Sequence, residues 1–258
     1  MATKIAGVDL SKWQAEVDYK ALKAGAIKGK SVKFAMLRFA YGTAKDALFD
    51  KHYAGCKAAG LYVGIYQWSR AKTPAEARAE ARWLIEQLGS YELDYPVALD
   101  FEDTGVLSAG LTKEQYTDIV LAYLETIKEA NYYPILYTGP CVIEQHLNLD
   151  RLKAYDLWLA QYTSEGYQRQ YGQTMWQFTV AGSRLLDYGK VGAVSGVKGA
   201  CDCNWSYVGY AAKIKQLGLN KPRTRYVVTA TKTVYKEQLE QIKSLLKAQG
   251  FSVSSRKL

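Results

Sequence analysis

The sequence predicts an α/β fold: an irregular TIM-like (β/α)5(β)3 barrel with a small C-terminal β-α-β appendage. Three observations carry this expectation. Five apolar runs between Ile5 and Tyr137 alternate with helix-like stretches, a rhythm that implies a parallel sheet with helices outside. Three more apolar runs follow, joined by connections too short or too glycine-rich for long helices. Acids and aromatics recur at the ends of these eight runs, where a closed barrel carries its chemistry. The 258 residues suffice for one large domain and a small addition. The expected division is 1–219 for the barrel and 220–258 for the appendage.

The elements follow in order. Ile5-Ala6-Gly7-Val8-Asp9-Leu10 is a first strand ending near an acid, with Ser11-Lys12-Trp13-Gln14 as its loop and a helix from Val17 to Ala26. Val32 to Phe39 is the second strand, and Leu48 to Ala59 a helix stopped by Gly60. Leu61 to Trp68 is the third strand. Thr73-Pro74-Ala75-Glu76 then opens a helix, with threonine as cap and proline at the first position. Tyr95 to Asp103 is the fourth strand. Thr112-Lys113-Glu114-Gln115 is a capping box that opens a helix reaching Ala130. Tyr133 to Tyr137 is the fifth strand. Asp156 to Ala160, Thr174 to Phe178 and Gly199 to Cys203 complete the eight.

Composition excludes several classes. A hydrophobic share of 48% and a charged share of 23% are those of a folded protein rather than a disordered one. No apolar run approaches the roughly 18–20 residues of a membrane helix, and the first residues lack the apolar core of a secretory signal. The four cysteines form no C-x-x-C and are expected as free, mostly buried thiols. With two histidines, His52 and His146, no metal site and no cofactor are expected. The net charge of +9 is uneven: residues 221–258 hold nine Lys/Arg and two Glu, a net +7, so the first 220 carry only +2. A near-neutral barrel with acidic strand ends would repel phosphate, which argues against nucleic acid as a partner. The 21 tyrosines and 6 tryptophans supply flat faces for stacking on sugars, bases or peptides, besides their use in the core.

The centre of the argument is Tyr95-Pro96-Val97-Ala98-Leu99-Asp100-Phe101-Glu102-Asp103. As a strand it puts Ala98, Asp100 and Glu102 on one face and Val97, Leu99 and Phe101 on the other. The two carboxylates then lie roughly 6–7 Å apart along the strand. Acids this close in a shielded site can be driven to different pKa values, one a proton donor and the other an anion. Taken alone, the run is equally a strand passing into a polar loop. The other strand ends shift the balance: Asp9, Tyr66 and Trp68, Tyr137, Trp158 and Tyr162, Trp176 and Gln177, Asp202 and Asn204.

Gly7-Val8-Asp9-Leu10-Ser11 with Trp13-Gln14, then Asp100-Phe101-Glu102, Trp158-x-Ala160-x-Tyr162, Trp176-Gln177 and Asp202-x-Asn204 together resemble glycoside hydrolase family 25, over residues 4–210. These are the Chalaropsis-type lysozymes common among phage endolysins and bacterial autolysins. The resemblance implies an N-acetylmuramidase that cuts the β-1,4 bond between N-acetylmuramic acid and N-acetylglucosamine in peptidoglycan. Glu102 matches the general acid, Asp100 the second carboxylate of the D-x-E pair, and Asp9 and Asp202 the two further acids of the groove. Cys201 and Cys203, flanking Asp202 where the family has other apolar residues, are expected to point outward. Tyr66, Trp68, Tyr137, Trp158, Tyr162 and Trp176 are expected as sugar-stacking walls, about half of them in the groove and the rest in the core. Gln177 and Asn204 are expected as further substrate contacts. Asp103 and Asp187 are expected to be solvated. The expected mechanism is retention, with the substrate's acetamido group as nucleophile and Asp100 as its helper. The rivals are inversion, with Asp9 or Asp202 activating water, and an inactive barrel that only binds peptidoglycan. Without a signal peptide, storage in the host cytoplasm and release to the wall are expected, as for a phage or prophage endolysin.

In the tail, Arg225 to Ala230 and Phe251 to Ser254 read as strands, flanking a helix with Leu239, Ile242, Leu245 and Leu246 at helical spacing. Such a unit is too small to bury its own core. It is expected to pair with a second copy through residues 222–258 in a homodimer, and its positive charge suits anionic wall polymers such as teichoic acids.

Overall fold

The computed structural model describes residues 4–163, 170–222 and 236–248. The chain divides into two compact units, Met1–Thr224 and Arg225–Leu258. The first unit begins with β1 (Ile5–Leu10), α1 (Tyr19–Ala24), β2 (Ala26–Ile27), β3 (Lys30–Tyr41), β4 (Ala44–Lys45) and α2 (Phe49–Ala58). It continues with β5 (Tyr62–Trp68), α3 (Pro74–Leu88), β6 (Val97–Asp100), α4 (Thr104–Leu107), α5 (Lys113–Glu129) and β7 (Pro134–Thr138). After these come α6 (Pro140–His146), α7 (Leu149–Leu152), β8 (Asp156–Ala160), β9 (Met175–Ala181), β10 (Cys201–Ser206) and α8 (Tyr210–Leu217). In the second unit α9 (Lys236–Ala248) is the described element. The two strands expected beside it, 225–230 and 251–254, lie outside the described residues.

Eight strands close a barrel in the order β1-β10-β9-β8-β7-β6-β5-β3, and β1 pairs with β3 to complete the ring. The short β2 and β4 pair only with β3 and add nothing to the closure. Seven barrel strands run parallel. The eighth, β10, lies in the irregular final third and is antiparallel to both β9 and β1. β9 and β10 are joined by residues 182–200, which form turns and no helix, so no helical crossover returns the chain for a parallel pairing.

Caps fix where the helices start. Thr73 accepts from the Glu76 amide with Pro74 in the first turn, and Thr112 and Gln115 form the expected capping box. The first helix is shorter than its sequence pattern: Asp18 caps it, and Val17 instead forms a bridge with Val197.

Side-chain alternation separates two cores. Val97, Leu99 and Phe101 pack in the layer between barrel and helices, with Cys201 and Cys203. Ala98 packs inside the barrel with Phe34, Met36, Tyr95, Ile135 and Trp158, above Tyr210 and Ile214 from α8. Gly7 makes this interior possible, since a Cβ there would meet the Phe34 ring at 2.4 Å. The interior is thus packed shut below, and polar side chains collect at the opposite rim.

Candidate active site

The parallel strands deliver one level of the site by register. Trp68, Asp100, Tyr137 and Trp158 are successive Cα partners across β5, β6, β7 and β8. The reversed β10 delivers Asp202 from its start, directly opposite Asp9 on β1. Asp202 therefore reaches the groove from the N-terminal end of its strand, unlike the other strand-end residues. β6 ends at Asp100, so Glu102 stands two residues into the following loop. It still faces the groove, because Phe101 between them is buried on the outer side.

These side chains surround a cavity of about 210 Å³, lined by Asp9, Asp100, Glu102 and Asp202, with Tyr66, Trp68, Tyr137, Trp158, Tyr162 and Gln177. Ser11, Trp13, Gln14 and Arg38 also line it. All four expected acids and five of the six expected aromatics are brought together. Trp176 is not among them. It is fully buried in the outer layer, beside Phe178, with its indole N–H donating to the Gln161 carbonyl at 2.8 Å. Strand alternation explains this, because Gln177 next to it takes the inward position.

Asn204 is also corrected. It is fully buried beneath the groove and serves the acids. Its amide donates to Asp9 Oδ2 at 2.8 Å and its oxygen accepts from Trp158 Nε1 at 2.8 Å. Gln177 donates to the same Asp9 oxygen at 2.9 Å, while its own oxygen accepts from the hydroxyls of Tyr137 and Tyr162. Two amides, each oriented by aromatic donors, thus hold one carboxylate. Asp100 differs: its Oδ1 is buried without a hydrogen-bond partner.

Burial is the main force on these acids. It raises Glu102 to about 7, helped by the Asp9 charge. It raises Asp202 to about 8, with Asp9 and Glu102 adding repulsion. Asp9 is raised to about 6 by burial, opposed by the bonds from Asn204 and Gln177. Asp100 is raised well above the usual range by burial, then by Glu102 and Asp9, and Arg38 opposes the shift. Near neutral pH the cluster therefore keeps protons that exposed carboxylates would lose. One of these acids can donate a proton while another stays anionic.

Of the two expected decoys, Asp103 is buried rather than solvated, while Asp187 stays half-exposed and also holds its loop. Asp103 is buried and caps α4 through the Val106 amide. Asp187 gathers the 182–192 loop by accepting from the amides of Gly182, Val191 and Gly192 and from the Thr179 hydroxyl. Sequence reasoning missed Arg38, which Asp46 holds through Nε and Nη2 at 2.8 and 2.7 Å. Its signal was available: a cation near the C-terminal end of the apolar run Val32 to Phe39, after the four residues that separate it from the exposed Lys33 at the run's start. Among the described residues no cluster of His, Cys, Asp and Glu is arranged to hold a metal ion. No described helix is long and apolar enough to cross a membrane.

The family profile described as "Glycosyl hydrolases family 25" matches residues 8–185. The chain belongs to this family. Its place there makes it a glycoside hydrolase. Among curated relatives, the Escherichia coli K12 protein YegX is 27% identical over 205 residues, which are 78% of this chain and 68% of that protein. An autolytic lysozyme of Clostridium acetobutylicum is 25% identical over 196 residues, 76% of this chain and 54% of its own length. Among solved structures the CTP1L endolysin is similar, with a TM-score of 0.65 and 26% identity over 82% of this chain and 70% of that one.

Proposed function

We propose that this family 25 hydrolase is an N-acetylmuramidase, cleaving the β-1,4 bond between N-acetylmuramic acid and N-acetylglucosamine in peptidoglycan. The observation that carries the reading is the set of four acids, Asp9 and Asp100 buried and Glu102 and Asp202 half-buried, inside an aromatic-walled groove. Glu102, protonated near neutral pH, donates to the glycosidic oxygen as that bond to the anomeric carbon breaks. The substrate's acetamido oxygen forms the new bond to that carbon. Asp100, with Oδ1 free to accept, holds the acetamido N–H. Glu102, now an anion, takes a proton from a water whose oxygen attacks the anomeric carbon; the bond from that carbon to the acetamido oxygen breaks, which restores the acetamido group and frees the sugar with its configuration retained. Asp9, already holding two amide donors, stays a fixed charge rather than a base.

Mass spectrometry of products from purified peptidoglycan tests the bond cut: a new reducing end on glucosamine instead of muramic acid overturns the assignment. NMR of the first-formed anomer tests the mechanism: an initially inverted product moves the nucleophile from the acetamido group to water.

The likeness to an endolysin and an autolytic lysozyme supports a role in bacterial lysis, with a phage or prophage origin. The basic C-terminal unit would add affinity for anionic wall polymers and pair with a second copy through residues 222–258. Sedimentation of the full chain at monomer mass would remove the pairing.

A further inference from the structure

Asp103 is 8% exposed, and each of its oxygens is engaged. Oδ1 accepts from the Val106 amide at 3.1 Å. Oδ2 accepts from both the Tyr41 hydroxyl at 3.1 Å and Trp68 Nε1 at 3.2 Å. The two rings lie 5.8 Å apart at 55°, on residues that are Cα partners across β3 and β5. Trp68 lines the groove and is in turn the Cα partner of Asp100. Tyr41 is 41% exposed, with the Arg70 guanidinium 5.2 Å from its ring centre.

A half-buried tryptophan at a strand end keeps rotational freedom unless something fixes its edge, and freedom lost on binding weakens affinity. Here one carboxylate oxygen fixes two aromatic edges at once, through bonds strengthened by its charge. The other oxygen ties that carboxylate to the backbone of α4, so the anchor cannot swing. With all three bonds made, Asp103 has no role left in proton transfer. We propose that Asp103 is a positioning residue that locks Trp68 and Tyr41 into one saccharide-stacking platform beside the Asp100–Glu102 pair. The saccharide's identity rests on the muramidase reading; the locking of the rings does not.

Asp103→Asn is the selective test. The side-chain oxygen keeps the Val106 cap, while the new amide meets the Trp68 N–H as a second donor. On a peptidoglycan tetrasaccharide, KM should rise ~10-fold, the size of one lost charge-assisted bond, with the loss falling on KM rather than kcat. In a Trp68→Phe background the same substitution should change KM less than ~2-fold, since its main partner is gone. Acrylamide quenching of tryptophan fluorescence gives a readout that needs no substrate: Asp103→Asn should increase it, and Trp68→Phe should abolish the increase. An unchanged KM, an equal KM effect in both backgrounds, or unaltered quenching overturns the proposal. Failure of the wild-type protein to cut peptidoglycan would instead overturn the muramidase reading, and the quenching comparison would still decide the platform.

Discussion

The parallel strands and the reversed β10 furnish the same groove by opposite routes, and their acids end up in different states. On the parallel side, register lines up Trp68, Asp100, Tyr137 and Trp158, and Asp100 keeps one oxygen without a partner. On the reversed side, antiparallel pairing sets Asp202 against Asp9 and brings Asn204 and Gln177 beneath, so Asp9 receives two amide donors. Both aspartates are almost fully buried. Desolvation therefore raises both, and donors decide which is more readily ionised. The comparison teaches that the groove's electrostatics depend as much on closing the ring with an antiparallel strand as on the D-x-E run.

The largest effect expected from breaking this arrangement is at the parallel side. Glu102→Gln should lower kcat by about 10³-fold, the range of a lost general acid, while binding of glycan fragments persists; steady-state kinetics and titration calorimetry measure the two. In the wild type, activity should fall as pH rises through about 7, where Glu102 gives up its proton. On the reversed side, Asn204→Ala strands both the Asp9 carboxylate and the Trp158 N–H in the interior. It should cost about 2 kcal/mol of stability, read from urea unfolding.

Asp202→Asn should act in the other direction. With its folded pKa raised from 3.8 to about 8, Asp202 holds a proton in the folded state that the unfolded chain releases. The fold therefore loses stability as pH climbs from about 4 through about 8. The asparagine variant should be more stable than wild type at pH 8, by up to about 5 kcal/mol, and indistinguishable at pH 4; equal midpoints at both pH values would contradict the burial argument. The smallest functional effect is reserved for Trp176→Phe. It should leave KM unchanged and cost about 1 kcal/mol of stability for the lost bond to Gln161. A raised KM would return Trp176 to the groove.

Much of this was readable from residues. The strand–helix rhythm, the threonine caps, the inward Ala98–Asp100–Glu102 face and the outward Cys201 and Cys203 all follow from local periodicity and local hydrogen bonds. The errors share a cause. Asp103 looks like a loop acid, because its partners Tyr41 and Trp68 meet it only once the chain has folded. Asn204 looks like a substrate contact until burial beneath Asp9 shows what it serves.

By itself, then, the sequence determined the alternating barrel elements and the residue types of the site, since both are written in short-range spacing. Tertiary structure alone decided the direction of β10, the anchoring of Asp9 and the clamp made by Asp103. Each of these joins residues distant along the chain, and neither periodicity nor composition encodes which distant groups will be desolvated together.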